Sequence, residues 1–189
     1  ERTPPTSSDP LGDTLHLLKP TGMLYCQSEL TAPWGIEMPP LDDCMMFHMV
    51  TGGDCWLEAG DSMPTRLSPG SLALVPHGQG HVIRSGQDEP TTPLFDIPVE
   101  KVSDRYEIMR HGGNGELTRL TCGVMRFDHV AGRQLLALLP PILVVDSWDA
   151  EVSGWLHSSL QFIAGEASEK RPGGETVITH LADIIVIQA

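Results

Sequence analysis

The chain has 189 residues, 40% of them apolar, enough to bury one core or one domain with an appendage. Its formal charge of −13 argues against direct contact with nucleic acid, because phosphate binding needs a basic face. No apolar run is long enough to span a bilayer, and Cys26, Cys44, Cys55 and Cys122 show neither paired spacing nor a preceding signal segment. A reduced, cytoplasmic protein is expected rather than a disulfide scaffold.

Residues 1–8 are polar and proline-rich and read as a loose tail. Asp9-Pro10 begins a helix, with aspartate as cap and proline in the first turn. Leu11, Leu15 and Leu18 line one face until Lys19-Pro20 ends it. Met23 to Ala32 reads as a strand, followed by a turn at Pro33-Trp34-Gly35. Cys44 to Val50 leads through Thr51-Gly52-Gly53-Asp54 into a short strand, Cys55 to Glu58, and Met63 to Leu67 follows.

Next comes Gly70-Ser-Leu-Ala-Leu-Val-Pro76-His77-Gly78-Gln-Gly-His81. Gly70 suits a tight turn with positive φ, and Leu72 to Val75 suits a strand buried on both faces. Pro76 ends that strand because it cannot donate to the ladder, Gly78 and Gly80 reverse the backbone, and His81 starts the strand that runs to Ser85. Asp88 to Asn114 is polar and predicts a long irregular connection, after which Leu117 to Asp128 resumes as a strand.

The character changes at Pro140-Pro141. Ser147 caps a helix with Asp149 and Glu151 in its first turn, and Val152, Trp155, Leu156, Phe162 and Ile163 recur at helical spacing. Glu169 to Gly174 breaks it, and a second helix from Glu175 carries Ile178, Leu181 and Ile185. The apolar stripes of this hairpin either pack on the β domain or pair with a second subunit. The chain starts at Glu1 and stops inside the apolar run Ile184 to Ala189, so a fragment is expected. The predicted organisation is a tail over 1–8, a β domain over 9–141 and a helical linker and dimerisation region over 142–189.

His48, His77, His81 and Cys122 are candidate zinc ligands, since imidazole and thiolate together suit a tetrahedral zinc site. The bland alternative makes His81 a donor to a loop carbonyl, His48 a half-buried strand residue and Cys122 a small core hydrophobe. Trp34, Met45, Met46, Phe47, Met49 and Trp56 are candidates for the wall of an apolar ligand pocket, or else plain core. No serine sits in a Gly-x-Ser-x-Gly elbow, Asp42-Asp43 after Pro-Pro-Leu reads as a solvated turn, and Gly112-Gly113-Asn114-Gly115 lacks the context of a phosphate loop.

The spacing of Gly70, Pro76, Gly78 and His81 resembles the second sequence signature of the cupin barrel, a double-stranded β-helix. Resemblance to metal-binding cupins would place two histidines and a glutamate within Met38 to Met45. Met-Pro-Pro-Leu-Asp-Asp-Cys-Met stands there instead, so the usual metal set of that family is not expected. The order of Asp9-Pro10-Leu11, Ala32-Pro33-Trp34-Gly35, Phe47-His48, Gly53-Asp-Cys55-Trp56-Leu57, Leu74 to His81, Thr121-Cys122-Gly123, Arg126 to His129 and Leu138 to Pro141 resembles the N-terminal cupin-type effector domain of AraC-family transcription regulators. That resemblance implies a mainly β fold with an N-terminal helix and a C-terminal helical hairpin, a small-molecule effector and a homodimer. It places DNA contact only in paired helix-turn-helix units beyond Ala189. His48, His81 and Cys122 fall at recurring histidine and cysteine positions of that pattern. The competing expectation is a metal-dependent cupin enzyme acting through the same three residues.

Overall fold

The computed structural model describes residues 20–127 and 130–146, together with residues 158, 159, 162 and 180. The predicted tail, the N-terminal helix and most of the C-terminal hairpin lie outside the described residues.

Twelve strands form two facing sheets among these residues. They are β1 (Pro20–Thr31), β2 (Gly35–Met38), β3 (Cys44–Gly52), β4 (Cys55–Glu58), β5 (Thr65–Leu67) and β6 (Leu72–Val75). The second half supplies β7 (His81–Arg84), β8 (Thr92–Pro93), β9 (Val99–Lys101), β10 (Tyr106–Gly112), β11 (Leu117–Phe127) and β12 (Leu143–Val145). The larger sheet runs β12-β6-β3-β11-β1-β10-β9 and the smaller β5-β4-β7-β2-β8. A helix, α1 (Val130–Leu136), follows β11.

Strands β3 and β6 are buried on both faces, as near-continuous apolar runs in the middle of a covered sheet should be. Two separate cores result. The inner one lies between the sheets, where Met46 and Val50 of β3 meet Ile36 of β2, Leu57 of β4 and Ile83 of β7. The outer one lies on the far face of the larger sheet, where Met45, Phe47 and Met49 pack with Tyr25, Met125 and Phe127. Period-two alternation along β3 makes this division, because successive side chains leave a strand on opposite faces.

The Gly70–His81 segment folds as its composition dictates. Gly70, Gly78 and Gly80 adopt φ of 95°, 62° and 79°, the left-handed region that side chains resist. Gly78 is also hemmed in: a Cβ there would collide with the Leu41 carbonyl oxygen, while the Gly78 carbonyl accepts from the Leu41 N–H at 2.8 Å.

The structure departs from the sequence reading in four places. Residues 88–114 are not irregular, since they hold β8, a 3₁₀ turn over Leu94–Asp96, β9 and β10. Their polarity hid β10 because its support is partly ionic: Arg110 bridges Glu29 on β1 and Glu100 on β9, each at 3.1 Å. Gly35, read as the end of a turn, instead starts β2 of the smaller sheet, a strand through Met38 that was not expected. The β domain also passes the boundary set at residue 141, because Leu143–Val145 pair with β6. The strand predicted from Met63 starts at Thr65.

Candidate functional site

One rung of the larger sheet carries the site. Cys26 on β1 stands opposite Cys122 on β11, Cys122 opposite His48 on β3, and His48 opposite Ala73 on β6. All four side chains share the inner face, so two thiols and an imidazole sit side by side in the inner core. The smaller sheet brings His81, the last residue of the signature segment, down onto His48.

His48 is the centre of a hydrogen-bonded chain. Its Nδ1 lies 3.0 Å from the Cys122 Sγ, and its Nε2 lies 2.6 Å from His81 Nε2. The two imidazoles meet edge to face, with centroids 4.8 Å apart. Burial drives His48 down to about 4 and His81 well below its ordinary range, so both are neutral at pH 7. A neutral imidazole donates from one nitrogen and accepts at the other. The protons therefore run in one direction: either Cys122 donates to His48 and His48 to His81, or His81 to His48 and His48 to Cys122. Both orders leave His81 Nδ1 buried without a partner among the described residues.

These residues do not fit a single tetrahedral metal ion. Zinc needs ligand atoms about 2.0–2.3 Å from one point. Here the sulfur of Cys122 and the nitrogen of His81 lie against opposite nitrogens of the same ring. Among the described residues no set of three or more His, Cys, Asp or Glu side chains is arranged to hold a metal. The other candidate ligand, His77, stands apart and exposed, with Nε2 2.9 Å from the Leu139 carbonyl oxygen.

Beside this chain lies an apolar cavity. Its walls include Met46 of β3, Met38 of β2, Met109 of β10, Leu120 of β11 and Leu94 of the 3₁₀ turn. Polar groups reach it from Cys26, Ser28, His48, Cys122 and Glu107. Burial pushes the Cys26 thiol up to about 11 and Cys122 well above its ordinary value, so both are protonated and poor nucleophiles. The void is about 40 Å³, room for a few waters or a small group. A larger guest must displace side chains, and the three methionines are the residues best able to move, having flexible unbranched stems.

Of the sequence-predicted pocket residues, Met46 lines this cavity. Met45, Phe47 and Met49 belong to the outer core, and Trp56 is half-buried on the outer face of the smaller sheet, opposite Arg66 and Arg84. Period-two alternation along β3 separates Met46, on the cavity side with His48, from Met45, Phe47 and Met49, which take the plain-core alternative. Counting by twos from His48 finds Met46. Cys26, Ser28 and Glu107 had no such signal, because they depend on which distant strands pair.

The signature segment also grips the chain beyond the barrel. Besides the His77 contact, Gln79 Nε2 donates to the Pro141 carbonyl at 3.4 Å, and the Ser71 hydroxyl donates to Asp146 Oδ1 at 2.5 Å. One loop thus touches His48 through His81 and the outgoing chain through His77 and Gln79.

The profile of the family described as Cupin matches residues 9–189. The chain belongs to the cupin family. The recognition drawn from the motif order, a cupin of the kind found as the effector-binding domain of AraC regulators, stands. The HTH-type transcriptional regulator AlkR of Acinetobacter baylyi is 23% identical to this cupin over 178 residues, a match covering 93% of this chain and 57% of AlkR. Two crystal structures of ToxT from Vibrio cholerae are more distantly similar. An apo variant shares 11% identity at a TM-score of 0.42, covering 86% of this chain and 53% of ToxT. The wild type bound to an unsaturated fatty acid shares 13% at a TM-score of 0.44, covering 89% and 53%. This cupin thus spans little more than half the length of the relatives it matches. Among its described residues no helix is long and apolar enough to cross a membrane.

Proposed function

We propose that this cupin is the ligand-sensing domain of a cytoplasmic transcription regulator and not an enzyme. The observation that carries the reading is the apolar cavity between the sheets, bordered by the neutral His48 chain. Burial leaves its thiols protonated and its imidazoles uncharged, which suits recognition better than nucleophilic or acid–base chemistry at neutral pH. The family and the helix-turn-helix relative support a regulator.

A guest that prefers one arrangement of the cavity shifts the population toward that arrangement. The loop from Pro76 to His81 is suited to pass the shift outward, because it binds His48 at one end and the 139–141 segment along its length. DNA contact belongs to a separate helix-turn-helix unit, consistent with the charge of −13 here. Homodimerisation through the C-terminal segment completes the proposal.

The test is a cavity-filling substitution, Met46→Trp, placed in the intact regulator with a promoter–reporter fusion. The variant is expected to bind its operator and to lose the response to any inducer of the wild type. An unchanged response would overturn the reading.

A further inference from the structure

Charge inside the cavity sets what can enter it. Among the described residues that line it, none is lysine or arginine, and the one acidic side chain is Glu107. Glu107 stands on β10, opposite Cys26 on β1 and Lys101 on β9. Burial pushes its carboxyl upward, and Lys101 acts in the other direction. Lys101 itself is exposed and does not line the cavity. The remaining titratable groups facing the space are His48, Cys26 and Cys122, with His81 behind His48, and burial holds all four uncharged.

We propose that the cavity takes uncharged, mainly apolar molecules and turns away anions, with Glu107 as the residue that sets this preference. The inference rests on the sensing role proposed above and deepens it by naming the ligand class. A carboxylate or sulfonate entering this space leaves water without gaining a cation, and an uncompensated buried charge is costly. It also approaches Glu107, whose own charge repels it. A neutral guest meets neither cost. Its hydroxyl or amide N–H finds acceptors at Glu107 and Ser28, while its apolar part packs against Met46, Met38 and Met109.

Three probes with one tail separate the contributions: hexan-1-ol, hexanoate and hexylammonium, titrated into the purified chain by calorimetry at pH 7.5. Hexanol is expected to bind at least about tenfold more tightly than hexanoate. The Glu107→Gln variant should narrow that ratio by strengthening hexanoate, and Glu107→Lys should reverse it, with circular dichroism checking that both variants fold. Hexylammonium should bind the wild type better than hexanoate does and should lose that advantage in Glu107→Lys. Wild-type binding of hexanoate equal to or tighter than hexanol overturns the ligand class and leaves the sensing role standing. A ratio unmoved by both folded variants overturns the assignment to Glu107. Binding of none of the three at millimolar concentration overturns the cavity as a sensing site altogether, a distinct result.

Discussion

The two faces of β3 and β11 differ in kind although they are built from alternate residues of the same strands. On the outer face, Phe47, Tyr25 and Gly123 form a packed rung in which the Phe47 ring lies over the glycine. On the inner face, one residue away on each strand, Cys26, Cys122 and His48 form a rung beside a void. The outer rung is filled and apolar and holds the sheet. The inner one is polar and borders the void. Division of the strands by parity means that a substitution on one face can leave the other intact.

The largest expected effect tests the filled face. Phe47→Ala should cost about 3–5 kcal/mol in urea unfolding, because a buried ring is lost and the space it leaves does not collapse. Met46→Ala, the neighbour on the other face, adjoins an existing void and should fall at the lower end for methionine, about 2 kcal/mol. Equal losses for the two would erase the contrast.

Acid tests the polar face. Folding holds His48 near 4 against 6.5 in the open chain, so between those values the unfolded state binds the extra proton. Stability is therefore complete above about pH 6.5 and falls as pH drops toward 4, by about 1.4 kcal/mol per pH unit for this histidine. His81 shifts in the same direction and steepens the slope. Urea midpoints between pH 7.5 and 4.5 should show the fall, and His48→Gln should flatten it. A profile equally steep in the variant would assign the acid sensitivity elsewhere.

Much of this division was readable in the sequence, and the unread part has a physical cause. The turn glycines, Pro76 and the apolar runs at 44–50 and 72–75 mark strands through local stereochemistry, and those strands are where they were expected. His48, His81 and Cys122 were singled out together, and the structure brings them into one chain. Their bonding order was not readable, because it depends on how three distant strands pack. Facing could not be read for Met45, Met46, Phe47 and Met49 because β3 is apolar on both sides, which removes the alternation that normally reveals parity. Strand β10 escaped notice because cross-strand ion pairs from Arg110 replace apolar content.

Gly123→Ala sharpens the contrast at a single atom. An added Cβ would run into the Phe47 ring on the outer face while leaving the inner rung untouched. The expected cost is about 1–3 kcal/mol, and Phe47→Leu in the same chain should recover part of it by vacating the space. A double variant no better than the sum of the singles would show that the ring is not the obstacle.

The smallest effect concerns β12, where the two faces meet the outgoing chain. Parity divides this strand as well: Val144 packs with the inner core, and Leu143 and Val145 with the outer. Its end is held by Ser71, buried next to β6, whose hydroxyl accepts from the Ser68 N–H at 3.0 Å and donates to Asp146. Ser71→Ala removes both bonds and strands the Ser68 N–H, so about 1 kcal/mol of stability should be lost. Asp146→Asn keeps an acceptor at an exposed position where water can also serve, and its loss should be less than half as large. Equal losses in the two variants would place the stabilisation in the Asp146 contact and make β12 a strand held by its end. The expected inequality makes it one held by its register with β6.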